Sequence, residues 1–485
     1  MHLIITLRAN ALTNDTTMLT PLPHKIRLVT AASLYDGHDA AINIMRRIMQ
    51  SMGAEIIHLG HNRSAHEIVE TAIEEDVNGI AITSYQGGHV EFFKYIKDLL
   101  DLNGSGHIKI FGGGGGTILP TEIEELHNYG ITRIYSPDDG RAMGLEGMIA
   151  DVLQQCATVN NTNIVHHTTN ALNQTKDIAT IARAITLAEN NLDYKPLLNT
   201  LTQKNNNIIT SVVLGITGTG GAGKSSVTDE IIRRFLNTYA THTIAVISVD
   251  PSKKKTGGAL LGDRIRMNAI SHPRAYMRSL ATRDSEIALS PHVAQAIAIC
   301  KAAGFTLILL ESAGVGQSDA AILDYVDASL YVMTPEYGAA SQLEKINMLD
   351  YADAIAINKY DKAGAEDAYL EVCKQYKRNH NMWTNANHEL PIYGTMASKF
   401  GDDGMNQLFA KLIDTIQEKT AVQFEKSIAT TTENGKPTPA IIPPNRTRYL
   451  AEISESIRNY NSTVNEQSTI ATKLYQLQGA IEILK

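Results

Sequence analysis

SVVLGITGTGGAGKSS, residues 211–226, decides how the rest of the chain is read. Val212 to Ile216 form a short apolar run, which predicts a strand buried on both faces. The run leads into GTGGAGKS, Gly218 to Ser225, which matches GxxxxGK[ST], and then into an amphipathic helical pattern. Strand, glycine loop and helix together form the context in which this spacing cradles phosphate. Around Gly221, Ala222 and Gly223, backbone N–H groups can wrap an anion because few side chains intrude, and the helix N-terminus adds a favourable field. Lys224 is placed to reach the β- and γ-phosphates, Ser225 to ligate Mg2+, and Ser226 to complete the loop.

Toward the C-terminus the same plan repeats. HTIAVISVD (242–250), FTLILLES (305–312), ASLYVMT (328–334) and AIAINK (354–359) are apolar runs separated by helical periods. Alternation of this kind predicts a parallel sheet wound with helices. Asn358-Lys359-Tyr360-Asp361 closes one of these strands and reads as NKxD. A carboxylate at Asp361 can accept from guanine N1–H and its 2-amino group. Adenine offers neither donor, so GTP is expected in preference to ATP. Asp250 and Glu311 end their own strands, where a carboxylate can hold Mg2+ or its water. Between them, Lys253 to Asn268 reads as a glycine-containing switch with Asp263 and Arg266 as its chemically useful residues; Lys253–Lys255 reads as a solvated basic turn. Gln317 and Arg266 are candidates for positioning water or charge.

Toward the N-terminus lies a second unit of the same class. IRLVTAA (26–32), AEIIHLG (54–60), NGIAIT (78–83), IKIFGGGGG (108–116) and ITRIYS (131–136) alternate with helical patterns over 40–52, 64–75, 89–100 and 121–128. Asp36-Gly37-His38-Asp39 follows the first of these strands. A strand-end His two residues after an Asp fits a carboxylate–histidine–metal relay, in which the Asp fixes the tautomer and leaves the other ring nitrogen for a metal. Ser84 follows the third strand and Gly112 to Gly116, including Gly113 and Gly114, the fourth. Three loops at the carboxyl ends of neighbouring strands define one crevice. His58, His61 and His89 read as packing or surface residues.

The expected fold is therefore α/β, with two doubly wound parallel-sheet domains and helical linkers. A flexible arm spans 1–24, a first domain 25–155, a helical linker 156–206, a second domain 207–420, and a linker with helices 421–485. The 485 residues are 43% hydrophobic, enough for several cores, and carry a net charge of −8, which argues against a nucleic-acid surface. Cys156, Cys300 and Cys373 are far apart and form no CxxC pair, so neither a zinc site nor a disulfide framework is expected. No run approaches the ~18 apolar residues of a membrane span, and MHLIITLRAN lacks a basic n-region. A cytoplasmic chain without membrane contact is expected.

VDPSKKKTGGALLGDRIRM (249–267) and ESAGVGQSD (311–319) resemble the metallochaperone branch of the P-loop GTPases, which services adenosylcobalamin mutases. That resemblance implies Ser225, Asp250, Asp263, Glu311 and Ser312 around Mg2+, the last directly or through water. It implies Gly221 to Ser226 and Arg266 on the phosphates, and Asn358, Lys359 and Asp361 on the base, with Ala397-Ser398-Lys399 in the last base-contacting loop. DGHDAA, SYQ and GGGGG resemble the DxHxxG, SxL and GG pattern of flavodoxin-like cobalamin-binding domains, with Ala41 and Gln86 as departures. DGHDAAINIMRRI, HLGHNRS, SYQGGH and YSPDDGR are similar to the fused isobutyryl-CoA mutases. By that resemblance His38 is the lower axial cobalt ligand, Asp36 orients it, and Ser84, Gly113 and Gly114 line the pocket for the cofactor's tail. The implied ligands are adenosylcobalamin, GTP and Mg2+. The implied partners are an acyl-CoA mutase barrel, as a missing segment or a separate subunit, an adenosyltransferase for cofactor loading, and a second copy in a homodimer. The reaction the resemblance implies is isobutyryl-CoA to n-butyryl-CoA rearrangement, with no turnover expected from these residues alone, because no run of eight βα units is present. The alternatives are a standalone GTPase chaperone of a separate subunit such as methylmalonyl-CoA mutase, an ATP-using relative, and a non-cobalamin flavodoxin-like module.

Overall fold

Short apolar runs become strands and the helical periods cover them. The computed structural model describes residues 25–158, 176–205, 210–283, 288–314, 320–420, 422–424 and 449–485. The arm expected over 1–24, residues 159–175 and 206 of the linker expected over 156–206, Gln317, and residues 421 and 425–448 of the linker expected over 421–485 lie outside these residues. Along the chain the first elements are β1 (Arg27–Ser33), α1 (Ala40–Ser51), β2 (Glu55–Arg63), α2 (Ala65–Glu74), β3 (Gly79–Thr83), α3 (His89–Leu102), β4 (Lys109–Gly113), α4 (Pro120–Tyr129), β5 (Arg133–Tyr135) and α5 (Pro137–Ala157). Two helices follow, α6 (Ile178–Glu189) and α7 (Lys195–Lys204). The second series is β6 (Val212–Gly218), α8 (Lys224–Thr238), β7 (Ile244–Asp250), β8 (Ala259–Leu261), β9 (Ala275–Ala281), α9 (Val293–Ala302), β10 (Leu307–Glu311), β11 (Ala328–Met333), α10 (Ala340–Leu343), α11 (Met348–Tyr351), β12 (Ala354–Asn358), α12 (Ala365–His380), β13 (Ile392–Thr395) and α13 (Asp403–Lys419). A last helix, α14, spans Tyr449–Leu484.

The seven-stranded sheet has the order β13-β12-β11-β6-β10-β7-β9, every pair parallel. Its central strands are buried on both faces. Val212, Leu214 and Ile216 point into a core shared with α8 and α13, while Val213 points into another shared with α6 and α9. α6 thus does more than connect: Ile181, Ala184 and Ile185 are fully or almost fully buried and close one face of this sheet. The six-stranded sheet has the order β5-β4-β3-β1-β2-β8. Leu28 packs toward α1 and α5, and Val29 and Ala31 toward α2 and α3.

The sixth strand of this sheet departs from the sequence expectation. β8 lies inside the segment read as a switch, yet it pairs in parallel with β2, Ala259 opposite Glu55 and Leu261 opposite Ile57. Three apolar residues between glycines are too few to announce a strand, and their partner lies some two hundred residues earlier.

A second link between the sheets is electrostatic. Arg27 sits 2.7 Å from Glu75 and 3.2 Å from both Glu55 and Glu189; Arg278 is 2.5 Å from Glu189, and Arg283 3.1 Å from Glu55. All but Arg283 are buried. Burial works to raise the Glu189 carboxyl, but Arg278, Arg27 and Arg283 outweigh it and hold it below the usual carboxylate range. Removing one partner of such a network leaves an uncompensated buried charge, at a cost of about 3–5 kcal/mol.

The chain divides into two units after Thr430. The second, taken by itself, contains α14, whose exposed Ile453, Ile457, Tyr460, Val464 and Leu474 recur at helical spacing.

Candidate functional site

The phosphate loop is built by close approaches of backbone. Gly218 ends β6 where a Cβ would collide with the Val332 carbonyl of β11, and Gly221 and Gly223 adopt φ of 75° and 88°. Lys224 is buried, and its Nζ donates to the carbonyls of Gly218 (3.1 Å) and Thr219 (3.3 Å), so the loop curls around its own lysine. Ala222 is fully buried in the loop, and Ser226 follows Ser225 in the first turn of α8.

Beside the loop the carboxylates converge. Ser225 Oγ is 3.0 Å from both Asp263 Oδ1 and Glu311 Oε1. Thr228 Oγ1 donates to Glu311 Oε2 (2.9 Å), and Ser248 Oγ to Asp263 Oδ2 (2.8 Å). Asp250 accepts from the Gly262 N–H (3.0 Å). Burial, reinforced by Asp263, pushes the Glu311 carboxyl up to about 8. Burial, Asp263 and Glu311 likewise raise Asp250. One hydroxyl proton on Ser225 cannot serve two carboxylates at once, so one of the two oxygens facing it lacks a donor from this side chain. Among the described residues no three acidic, His or Cys side chains close on one point tightly enough to hold an ion by themselves. That suits Mg2+, which keeps several waters and takes few protein ligands beside substrate phosphates. Ser312 does not join the cluster: its hydroxyl donates to Thr217 Oγ1 (2.8 Å). The resemblance implies a place for it near Mg2+, directly or through water; here its hydrogen bond goes to Thr217 of β6. Arg266 is exposed and acts on Asp250 through its charge.

The NKxD segment braces the loop from the other side. Asn358 Nδ2 donates to the Ala222 carbonyl (2.8 Å), and Asn358 Oδ1 accepts from the Ala397 N–H (3.1 Å). Lys359 takes a φ of 59° and its Nζ donates to the Gly221 carbonyl (2.7 Å). A left-handed non-glycine backbone at this point is strain held by its surroundings. Asp361 is exposed at the end of the turn, and Ala397 brings residues 397–399 alongside.

At the other sheet, Asp36 is buried and its carboxylate accepts three hydrogen bonds. Oδ1 receives the backbone N–H of His38 (2.9 Å) and lies 2.8 Å from His38 Nδ1; Oδ2 receives the Tyr85 N–H (2.6 Å). Burial alone would raise Asp36, but the N–H groups of Tyr85 and His38 and the His38 ring outweigh it and hold it low. A carboxylate only accepts, so Nδ1 carries a proton, and in the neutral ring Nε2 keeps its lone pair on a side chain 74% exposed. Tyr35, just before, has a φ of 63°. Ser84 is tied to β1 through Ser33 Oγ (2.9 Å), and Gly114 passes where a Cβ would strike the Ser84 carbonyl. Behind this loop lies a mainly apolar cavity of about 230 Å³, lined by Met45, Met49, Ala81, Phe111, Gly113, Gly114, Tyr135 and Met148, among others. Its methionine and aromatic lining was not singled out in the sequence, because such residues at helical spacing read as ordinary core. His58 is buried 2.9 Å from Thr30 Oγ1, and His89 lies 3.0 Å from Glu122. His61 is exposed.

Fold and sites define a P-loop nucleotide hydrolase joined to a doubly wound domain with a histidine-tipped crevice. Residues 26–143 match the B12 binding domain family, and residues 181–435, just over half of the chain, match the family described as methylmalonyl-CoA mutase-associated GTPase MeaB. The chain belongs to this GTPase family and carries a cobalamin-binding domain before it. It is 53% identical over 470 residues to a fused isobutyryl-CoA mutase of Geobacillus kaustophilus, covering 95% of this chain and 43% of that protein. The fused isobutyryl-CoA mutase of Cupriavidus metallidurans is 52% identical, covering 95% of this chain and 42% of its own length. That of Nocardia farcinica is 45% identical, covering 96% and 43%. The chain thus spans less than half the length of these relatives.

Proposed function

We propose that these residues bind adenosylcobalamin through His38 and hydrolyse GTP with Mg2+ in the service of an acyl-CoA mutase. The observation that carries the reading is the His38–Asp36–Tyr85 relay, which holds the His38 ring by Nδ1 in solvent, while Tyr85 also lines an apolar cavity. His38 would ligate the cobalt of the cofactor, and Asp36 would keep the ring in the tautomer that makes this possible. The Gly113–Gly114 backbone, which lines the cavity, would leave room for the cofactor's tail, with Ser84 fixed beside it through Ser33. When bound, the cofactor supplies homolysis of a cobalt–carbon bond, and that chemistry is its own.

In the second domain Lys224 and the N–H groups of residues 221–226 would hold the phosphates. Ser225, Asp263, Asp250 and Glu311 would hold Mg2+ and its waters, and Asn358, Lys359 and Asp361 the guanine. Glu311 would give up the proton that burial now favours when the cation enters. For the whole protein we propose isobutyryl-CoA to n-butyryl-CoA rearrangement in a substrate barrel, with the GTPase gating cofactor loading; identity to the fused mutases supports this. A homodimer, delivery of the cofactor by an adenosyltransferase and a cytoplasmic location follow the same resemblance. Among the described residues no helix is long and apolar enough to cross a membrane.

The test is a titration of adenosylcobalamin followed by its absorption spectrum. The expected result is the shift that marks loss of the cofactor's own base from cobalt, abolished in His38→Ala. An unshifted spectrum with the intact chain would overturn the reading.

A further inference from the structure

The segment from Gly258 to Arg266 sends successive side chains to two different domains. β8 is hydrogen-bonded to β2, and Gly258 passes so close to the α1–β2 turn that a Cβ would strike the Gln50 carbonyl. Two residues after β8, Asp263 reaches the nucleotide site through Ser225 and Ser248. The next residue turns back. Arg264 is buried and pairs with Glu74 of α2, lies 3.5 Å from Glu75, and donates to the Met277 carbonyl (2.8 Å). Ile265 lies against Gly60 of β2, where a Cβ would meet its side chain. Arg266, next in the turn, is exposed, and its charge acts on Asp250. Glu75 is itself fixed by Arg27 and by the Ser279 N–H and hydroxyl.

We propose that Glu74 and Glu75 of the cobalamin-binding domain, acting through Arg264, are positioning residues of the nucleotide site. They set Asp263 and Arg266 for Mg2+ and the γ-phosphate whether or not cobalamin is bound. The proposal rests on the placement of Asp263 and Arg266 given above. A four-residue turn cannot move Arg264 without moving its neighbour. Misplacement of a reacting group by about 1 Å costs on the order of a hundredfold in rate. The first domain therefore completes the GTPase of the second. Binding of GDP, which the loop at 218–226 and Asn358 and Asp361 would hold, should depend on this turn much less than hydrolysis does, because the turn meets the loop at Ser225, the residue assigned to Mg2+.

The test compares the full chain with Glu74→Gln and Arg264→Lys for GTP turnover, Mg2+ requirement and GDP affinity. Expected for Glu74→Gln are a fall of about tenfold or more in kcat and a higher Mg2+ midpoint, with the GDP Kd within about twofold. Arg264→Lys, which keeps the charge and loses the fork, should fall between. Unchanged kcat and Mg2+ midpoint, or equal losses for GTP and GDP, would overturn the proposal in favour of a merely structural bridge. Should a variant not fold, amide exchange on the unmodified chain decides. A non-hydrolysable GTP analogue with Mg2+ should slow exchange in 55–60 and 259–266, where GDP does not. Slowing confined to 211–226 would overturn it. An unmodified chain that hydrolyses no GTP would instead sink the nucleotide-site assignment, while the exchange result would still decide this inference.

Discussion

The two ligand loops are held in opposite ways. The phosphate loop is closed on itself: Lys224 is buried on the carbonyls of Gly218 and Thr219, while Asn358 and Lys359 clamp Ala222 and Gly221. The histidine loop is held by one buried carboxylate, Asp36, and lifts His38 into solvent. A phosphate needs many weak donors converging from a rigid frame, so its loop is braced all round. A metal needs one lone pair at a fixed angle, so a single buried anchor suffices.

Breaking each loop sharpens the contrast. The largest effect is expected from Lys224→Ala, which should abolish GTP hydrolysis, read as phosphate release, and leave the cobalamin spectrum untouched; persisting hydrolysis would refute the phosphate-loop assignment. Next, Asp36→Asn should weaken adenosylcobalamin binding by about 10- to 100-fold, because the amide no longer selects the Nδ1–H tautomer. Equal affinity in an equilibrium titration would show that His38 needs no anchor. Asp361→Asn should then narrow the preference for GTP over ATP by about tenfold or more in competition binding. A preference left intact would move guanine recognition to residues 397–399.

The smallest effect concerns stability. Burial first, then the nearby Arg46, lowers His58 from 6.5 to about 4. The folded protein thus keeps His58 neutral where the unfolded chain would protonate it. This contribution is absent above about pH 6.5 and destabilises progressively as pH falls from there toward 4. Denaturation midpoints at pH 7.5 and 5 should differ less in His58→Gln than in the unmodified chain. The same difference in both would dismiss His58 as the source.

The two loops were also unequally legible. GTGGAGKS and NKYD could be read directly, because phosphate and guanine recognition impose local spacings on contiguous residues. The two parallel sheets followed from the alternation of apolar runs and helical periods. Asp36-Gly37-His38 is as local, but its meaning depends on Tyr85 donating from another strand end. What stayed hidden is non-local. Glu74 and Glu75, at the end of an amphipathic helix, carry no local motif that singles them out, yet both are buried and lie against Arg264 of the second domain. Ala259–Leu261 became a strand only because β2 offers an edge. Ser312 follows the end of β10, and its hydrogen bond to Thr217 on the neighbouring strand is a contact no spacing encodes.

The most direct test of the central account, two separate ligand sites built on one chain, is the stoichiometry of adenosylcobalamin and a GTP analogue on the unmodified chain, on Lys224→Ala and on His38→Ala. The account predicts one of each on the unmodified chain, loss of the nucleotide alone in Lys224→Ala, and loss of the base-displaced cobalamin alone in His38→Ala. Nucleotide bound by the unmodified chain with no cobalamin at any concentration would contradict it.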